Sequence, residues 1–159
     1  MSFGTARVAV ASFLSGSVPG LTTVYRSRPK VVDDGRDIMA PGSKSGAFGF
    51  VHIDGSDETR VAFGGAHSGK KRVDYQIRLV IKFQSKGIDA MAAQDDCDLM
   101  LEGVKVQLRS DRQLGDTVNV WQAGEAGGIK VQIGEPILHG DITVIWAQVS
   151  FQLTEWQTT

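Results

Sequence analysis

The run VDYQIRLVIKF (Val73 to Phe83) constrains the fold more than any other segment. Val73, Tyr75, Ile77, Leu79, Ile81 and Phe83 fall in one phase, and Asp74, Gln76, Arg78, Val80, Lys82 and Gln84 in the other. Successive side chains of a strand point to opposite faces, so this period of two means one buried face and one mostly polar face. Such a strand belongs to an antiparallel sheet covered on one side. The segment DITVIWAQVSFQLTEW (Asp141 to Trp156) repeats the pattern. Ile145, Ala147, Val149, Phe151 and Leu153 share one phase, and Gln148, Ser150, Gln152 and Thr154 the other.

A sheet with one apolar face needs cover. Residues 87–110 supply it: Ala90, Ala93, Cys97, Leu101, Val104 and Leu108 recur at steps of three and four and form one helical stripe. A helix of that span is roughly 35 Å long, enough to cross a sheet. Gly103 either weakens it locally or lets another group pack close. A shorter helix is expected at 3–15, with Val10, Ala11, Leu14 and Val18 at helical spacing and Pro19-Gly20 ending the run. The weakly charged N-terminus reads as this helix rather than as a secretory signal.

The remaining elements are strands. LTTVYRSRP (Leu21 to Pro29) is a short one, stopped by Pro29. AFGFVHIDGSDETRVAFGG (Ala47 to Gly65) reads as a hairpin turning at the polar DGSDE. TVNVWQAGEAGGIKVQIGEP (Thr117 to Pro136) holds a strand, either split or a hairpin pair. Residues 30–46 are rich in Asp, Gly, Ser and Lys without a period, and form a long loop or arm. The order predicts an α+β fold: an antiparallel β-sheet with a long helix and a short N-terminal helix packed on one face. At 159 residues it is a single domain, 1–159.

Bulk properties narrow the function classes. The net charge of -1 gives no overall field for nucleic acid or anionic lipid, although local patches remain open. The single cysteine, Cys97, allows no internal disulfide and argues against a cysteine-based metal site. No apolar run has the length needed to span a bilayer.

GGAHSGKK (Gly64 to Lys71) approaches the phosphate-binding loop G-x-x-x-x-G-K-[ST], but Lys71 stands where a hydroxyl is needed. A strand follows, whereas phosphate binding needs a helix N-terminus. A basic turn is the better reading. QDDCD (Gln94 to Asp98) lies on the long helix, where consecutive side chains diverge by about 100° and do not converge on a metal. DGSDE lacks the Gly and Glu positions of a calcium loop. His52, His67 and His139 have no ligand partner at a telling spacing, and no G-x-S-x-G is present. No catalytic, cofactor-binding or metal-ligating residue is therefore assigned.

Surface candidates remain. Trp146 lies on the otherwise polar phase of the last strand, and Trp156 shares that phase. Cover by a loop and contact with another protein are equally good readings of the pair. Lys44, Lys70, Lys71 and Arg72 fall in two glycine-rich stretches, read as loops, where they are either solvated or touch a partner or DNA phosphates.

The second half carries a resemblance. YQIRLVIKF, the helix ending LEGVKVQLRSDRQLGD, then VWQAGE, IKVQIGEP and VIWAQVSFQLTEW resemble the tail terminator (tail completion) proteins of long-tailed bacteriophages and related tail-like particles. The earlier ETRVAFGG and HSGKKRVDYQIRL fit too, so the likeness runs from about residue 5 to 156 in element order and spacing. It implies a structural virion protein without catalysis or cofactor. Such proteins form a ring, usually a homo-hexamer, that caps the tail tube protein, ends elongation and presents the head-tail joining surface to a connector or stopper protein. DNA passes through the lumen without sequence-specific binding. The particle would be assembled in the host cytoplasm, with the ring at the head-proximal end of the tail. Rival readings are another ring subunit of the same particle, such as a connector, stopper or tail tube, and a small nucleotide- or ligand-binding α+β domain built on GGAHSGKK.

Overall fold

In the computed structural model, residues 3–29, 45–60, 69–87, 89–111, 113–115 and 128–157 are described in full, and 121–123 and 158 by backbone alone. The elements are α1 (Phe3–Leu14), β1 (Leu21–Tyr25), β2 (Ser45–Arg60), β3 (Lys70–Lys86), α2 (Ala90–Ser110), β4 (Trp121–Ala123), β5 (Lys130–Ile133), β6 (Ile137–His139) and β7 (Ile142–Thr158). The fold is α+β. Residues 30–44 of the expected arm lie outside the described residues, while Ser45 and Gly46 already belong to β2.

The backbone of the molecule is the β3–β7 pair, in unbroken antiparallel register from Lys70↔Thr158 to Lys86↔Ile142. The alternating patterns of the two strands are thereby superposed: Ile77 faces Phe151, Leu79 faces Val149 and Ile81 faces Ala147. β2 flanks β3 antiparallel, and β1 flanks β2 in parallel, which makes the sheet, seven-stranded among the described residues, mixed rather than purely antiparallel. The other edge of β7 is tiled by β6, β5 and β4 in turn. β4 and β5 both pair with β7 and do not form a hairpin with each other. Three short segments leave less continuous free edge for another strand to join than one long strand would.

The hairpin expected within 47–65 is corrected. β2 runs on from Ser45 to Arg60 along β3, and DGSDE is not a turn. Ile53 pairs with Ile77 and Gly55 with Gln76, so Asp54 is the extra residue of a β-bulge. A bulge draws on the same small polar residues as a turn, but it shifts the pleat without reversing the chain. The phase therefore flips: Ile53 lies in the core, whereas Ser56 and Glu58 beyond the bulge sit opposite Tyr75 and Val73.

One face of the sheet is covered by both helices. Ala6, Val10, Ala11 and Leu14 of α1, and Ala93, Cys97, Met100, Leu101, Val104 and Leu108 of α2, join a single core with the odd-numbered residues of β3 and β7. Ala90, expected in the stripe, is exposed, and Met100 takes part instead. α2 begins at Ala90 rather than at 87. Gly87 has φ of 108°, and the Asp89 carboxylate accepts from the N–H groups of Met91 at 3.1 Å and Ala92 at 3.2 Å, an N-cap that starts the helix at Ala90. At Gly103, a Cβ would lie 3.1 Å from Cγ1 of Val18, so the missing side chain permits this close approach.

Two polar features are built into the core face. The Tyr75 hydroxyl donates to Glu155 Oε2 at 3.2 Å, and the Tyr75 ring meets Phe3 edge-on at 5.8 Å between centroids. Cys97 is fully buried in α2, and burial, aided by the neighbouring Asp98 charge, pushes its thiol up to about 12. The thiolate is the reactive form. Modification of Cys97 by a soluble disulfide reagent at pH 8 is expected to run at least a hundredfold slower in the native protein than in urea, a ratio that absorbance kinetics reads directly. Equal rates would mean that α2 does not seal this side of the core.

Candidate functional site: the helix-free sheet face

The even-numbered residues of β3 and β7 point away from the helices. On a lone polar sheet face they would be Ser, Thr, Lys and Glu, all solvated. Here the two tryptophans make cross-strand pairs with cations. Trp146 stands opposite Lys82, whose Nζ lies 5.6 Å from the ring centroid. Ten residues further along β7, Trp156 stands opposite Arg72, whose guanidinium carbon is 6.0 Å from the ring. Both distances are within the range over which a ring face attracts a cation. Lys82 is only 5% exposed, so its stem packs against the sheet while its ammonium meets the indole.

Around Trp146 the face is apolar. Phe48 and Phe50 of β2 are buried there and pack with Val80 and Trp146, separate from the main core. Tyr25 closes the β1 side, edge-on to Phe48 at 5.9 Å. Around Trp156 the face is a polar network. Thr154 Oγ1 donates to Asp74 Oδ1 at 2.6 Å, Arg72 Nε donates to the same oxygen at 2.9 Å, and Gln152 Nε2 donates to Thr154 at 3.4 Å. Burial works against the Asp74 charge, but these donors outweigh it and hold the carboxyl below its ordinary value. Midway, the bulge presents Asp54 to Arg78 Nη2 at 2.9 Å and to His52 Nε2 at 3.3 Å.

Beside the apolar end runs a groove of about 850 Å³. It crosses β7, β3 and β2, with Trp146, Val80 and Phe50 in its floor and Ile133 of β5 at one end. At the other end stand Arg7 of α1 and Arg28, with Arg78 between, and among the described residues its lining contains no carboxylate. Nε of Arg7 and Nε of Arg78 are buried and have no hydrogen-bond partner among the described residues. Buried polar groups are normally satisfied, so these two mark where an acceptor would be stabilised.

The residues singled out from the sequence are distributed as follows. Trp146, Trp156 and Arg72 share the helix-free face, and Arg72 and Trp156 touch. Lys70, Lys71 and Arg72 are not in a loop. They open β3, because pairing with β7 extends the strand beyond its apolar run. The pleat then separates them: Lys70 shares the phase of Arg72, while Lys71 points to the other side and pairs with Glu58 at 3.1 Å. Lys44 lies outside the described residues, as do the glycine-rich residues 61–68. Lys70 and Lys71 lead into a strand, the opposite of what a phosphate-binding loop requires. Trp121 lies in β4.

Sequence reading missed the groove. Arg78 and Lys82 were visible as basic members of the polar phase of β3, but Arg7, Arg28 and Phe50 carry no local signal that would join them. No helix among the described residues is long and apolar enough to cross a membrane. The chain matches no protein-family model and no curated protein.

Proposed function

We propose that this protein is a structural ring subunit of a long-tailed virus or tail-like particle, acting as a tail terminator. Six copies close into a ring on the end of the tail tube, stop its growth and offer the surface on which the head connector or stopper docks. DNA passes through the central hole, and the ring resides at the head-proximal end of the tail after assembly in the host cytoplasm. The protein works by shape and converts no substrate.

The observation that carries this reading is the helix-free face. It holds a second apolar cluster, two tryptophan–cation pairs and a cationic groove, on a sheet whose opposite side already houses the core. An aromatic and arginine-rich surface of this kind has the composition of a protein interface. The element order that underlies the resemblance, with a long helix between the paired strands β3 and β7, supports the same reading.

The test is the mass and position of the assembly. Six chains of 17.1 kDa make a particle of about 103 kDa. Mass photometry of the protein, alone or added to tail tubes, is expected to find that species. Electron microscopy is expected to find a six-fold ring with a central hole, and immunogold labelling of intact tails to mark their head-proximal end. Labelling along the tube or at the distal tip would reject the terminator role.

A further inference from the structure

We infer that the groove on the helix-free face receives helix α2 of a second copy of this chain. The inference rests on the ring reading for closure and names the surfaces that would form each subunit contact.

Met91, Asp95, Asp98, Glu102 and Val106 follow steps of four, three, four and four, and so form one stripe opposite the buried stripe. Met91 is 73% exposed, the adjacent Leu99 75% and Val106 63%. Large side chains this open on a helix otherwise well packed indicate an apolar ridge without a partner in the monomer. The ridge is also acidic. Glu102 is paired with Lys105 within the helix, whereas Asp95 and Asp98 make no ion pair among the described residues.

The groove has the complementary character. Its floor is Phe50, Val80 and Trp146, and its basic wall is Arg7, Arg28 and Arg78, the last already paired with Asp54; among the described residues no carboxylate belongs to the lining. From β5 to β2 the floor spans three strand spacings, about 14 Å. A helix with side chains is about 10–12 Å across, so one helix fits. Apolar ridge against apolar floor supplies buried area, and Asp95 and Asp98 against the arginines supply register and partner choice.

The topology makes this contact head-to-tail. α2 covers one face of the sheet and the groove opens on the other, so a subunit that has given its helix to one neighbour still has a free groove for the next. A two-fold dimer needs the same patch on both partners and cannot use this pair of surfaces once. Repetition closes a ring when the rotation between copies divides a full turn, and otherwise gives a filament.

A charge exchange tests it. Asp95→Lys with Asp98→Lys sets lysines against arginines at every contact, and Arg7→Glu with Arg28→Glu sets glutamates against aspartates. Each pair is expected to weaken self-association roughly a hundredfold in sedimentation velocity. One chain carrying all four changes is expected to regain the wild-type assembly. Far-UV circular dichroism and urea midpoints establish that each variant folds, and Leu99→Glu, on the exposed side of α2, tests the apolar contact should the arginine changes unfold the chain. Assemblies of wild-type mass in every variant would remove this interface while leaving the ring reading standing. A wild-type chain that stays monomeric at every concentration, with and without tail tubes, would remove both. Duplex DNA binding lost in Arg7→Glu, with self-association unchanged, would overturn the inference in favour of a nucleic acid surface.

Discussion

Phe83→Ala is expected to lower the unfolding free energy by about 3–5 kcal/mol. Phe83 is 2% exposed, is the largest of the fully buried side chains, and stands on the central strand β3 between Ala47 of β2 and Ile145 of β7. Close-packed neighbours do not move far enough to fill the space that a phenyl ring leaves, so most of the cavity persists and the lost contacts are not recovered. Domains of this size have a total stability of about 5–15 kcal/mol, so the change removes a large fraction of it. Urea titration reads the effect as a lower midpoint with an unchanged slope. Gln132→Ala on the exposed part of β5 serves as the control, with an expected change below about 0.5 kcal/mol. A Phe83→Ala loss no larger than the control would mean that the two layers do not form one packed interior.

The second large effect is a loss of stability in alkali. Burial, and then the charge and hydrogen bond of Glu155, push the Tyr75 hydroxyl from 10.0 up to about 12. The folded state thus favours the neutral phenol, and the unfolded chain gives up its proton first. The stability linked to this group is complete below pH 10, declines as the pH rises to 12, and amounts to about 2.7 kcal/mol for two pH units. Cys97 acts in the same direction from its ordinary value of 9.0, so the comparison belongs in a Cys97→Ala background. There, Tyr75→Phe is expected to be less stable than its parent by about 1.5–3 kcal/mol at pH 8, because Glu155 loses a donor. The gap should close towards pH 12, where the parent has lost its advantage. Parallel stability curves from pH 8 to 12 would show that the Tyr75–Glu155 bond is not present in solution.

The two long strands and the two helices were legible because their signals are local. A pleat reverses direction at each residue, so Val73 to Phe83 declares its buried phase whatever it pairs with. The same holds for Ile145 to Leu153 and for the helical stripe from Ala93 to Leu108, all of which are buried as their spacing requires. The start of α2 was less legible, since a stripe of apolar residues does not encode the cap, and the Asp89 side chain sets the first turn.

Where the sequence misled, it offered two structures of equal local merit. DGSDE suits a turn and a bulge alike, and only the presence of β3 alongside decides that the chain continues. TVNVWQAGEAGGIKVQIGEP suits a split strand and a hairpin pair alike, and β7 decides for the split by offering both short strands a longer, already ordered edge. Lys70, Lys71 and Arg72 have little apolar character, and it is the register with Gln157, Trp156 and Thr158 that draws them into the sheet.

The amino-acid order by itself determined which side of each long element is apolar, and hence that the chain folds as a sheet covered on one face, because those preferences depend on neighbours only two to four residues away. Which strands adjoin, and which distant side chains gather beside Trp146 on the uncovered face, came from tertiary structure alone. Arg7, Arg28, Arg78 and Trp146 share no local pattern, and they meet at one groove only because pairing and packing bring distant segments together.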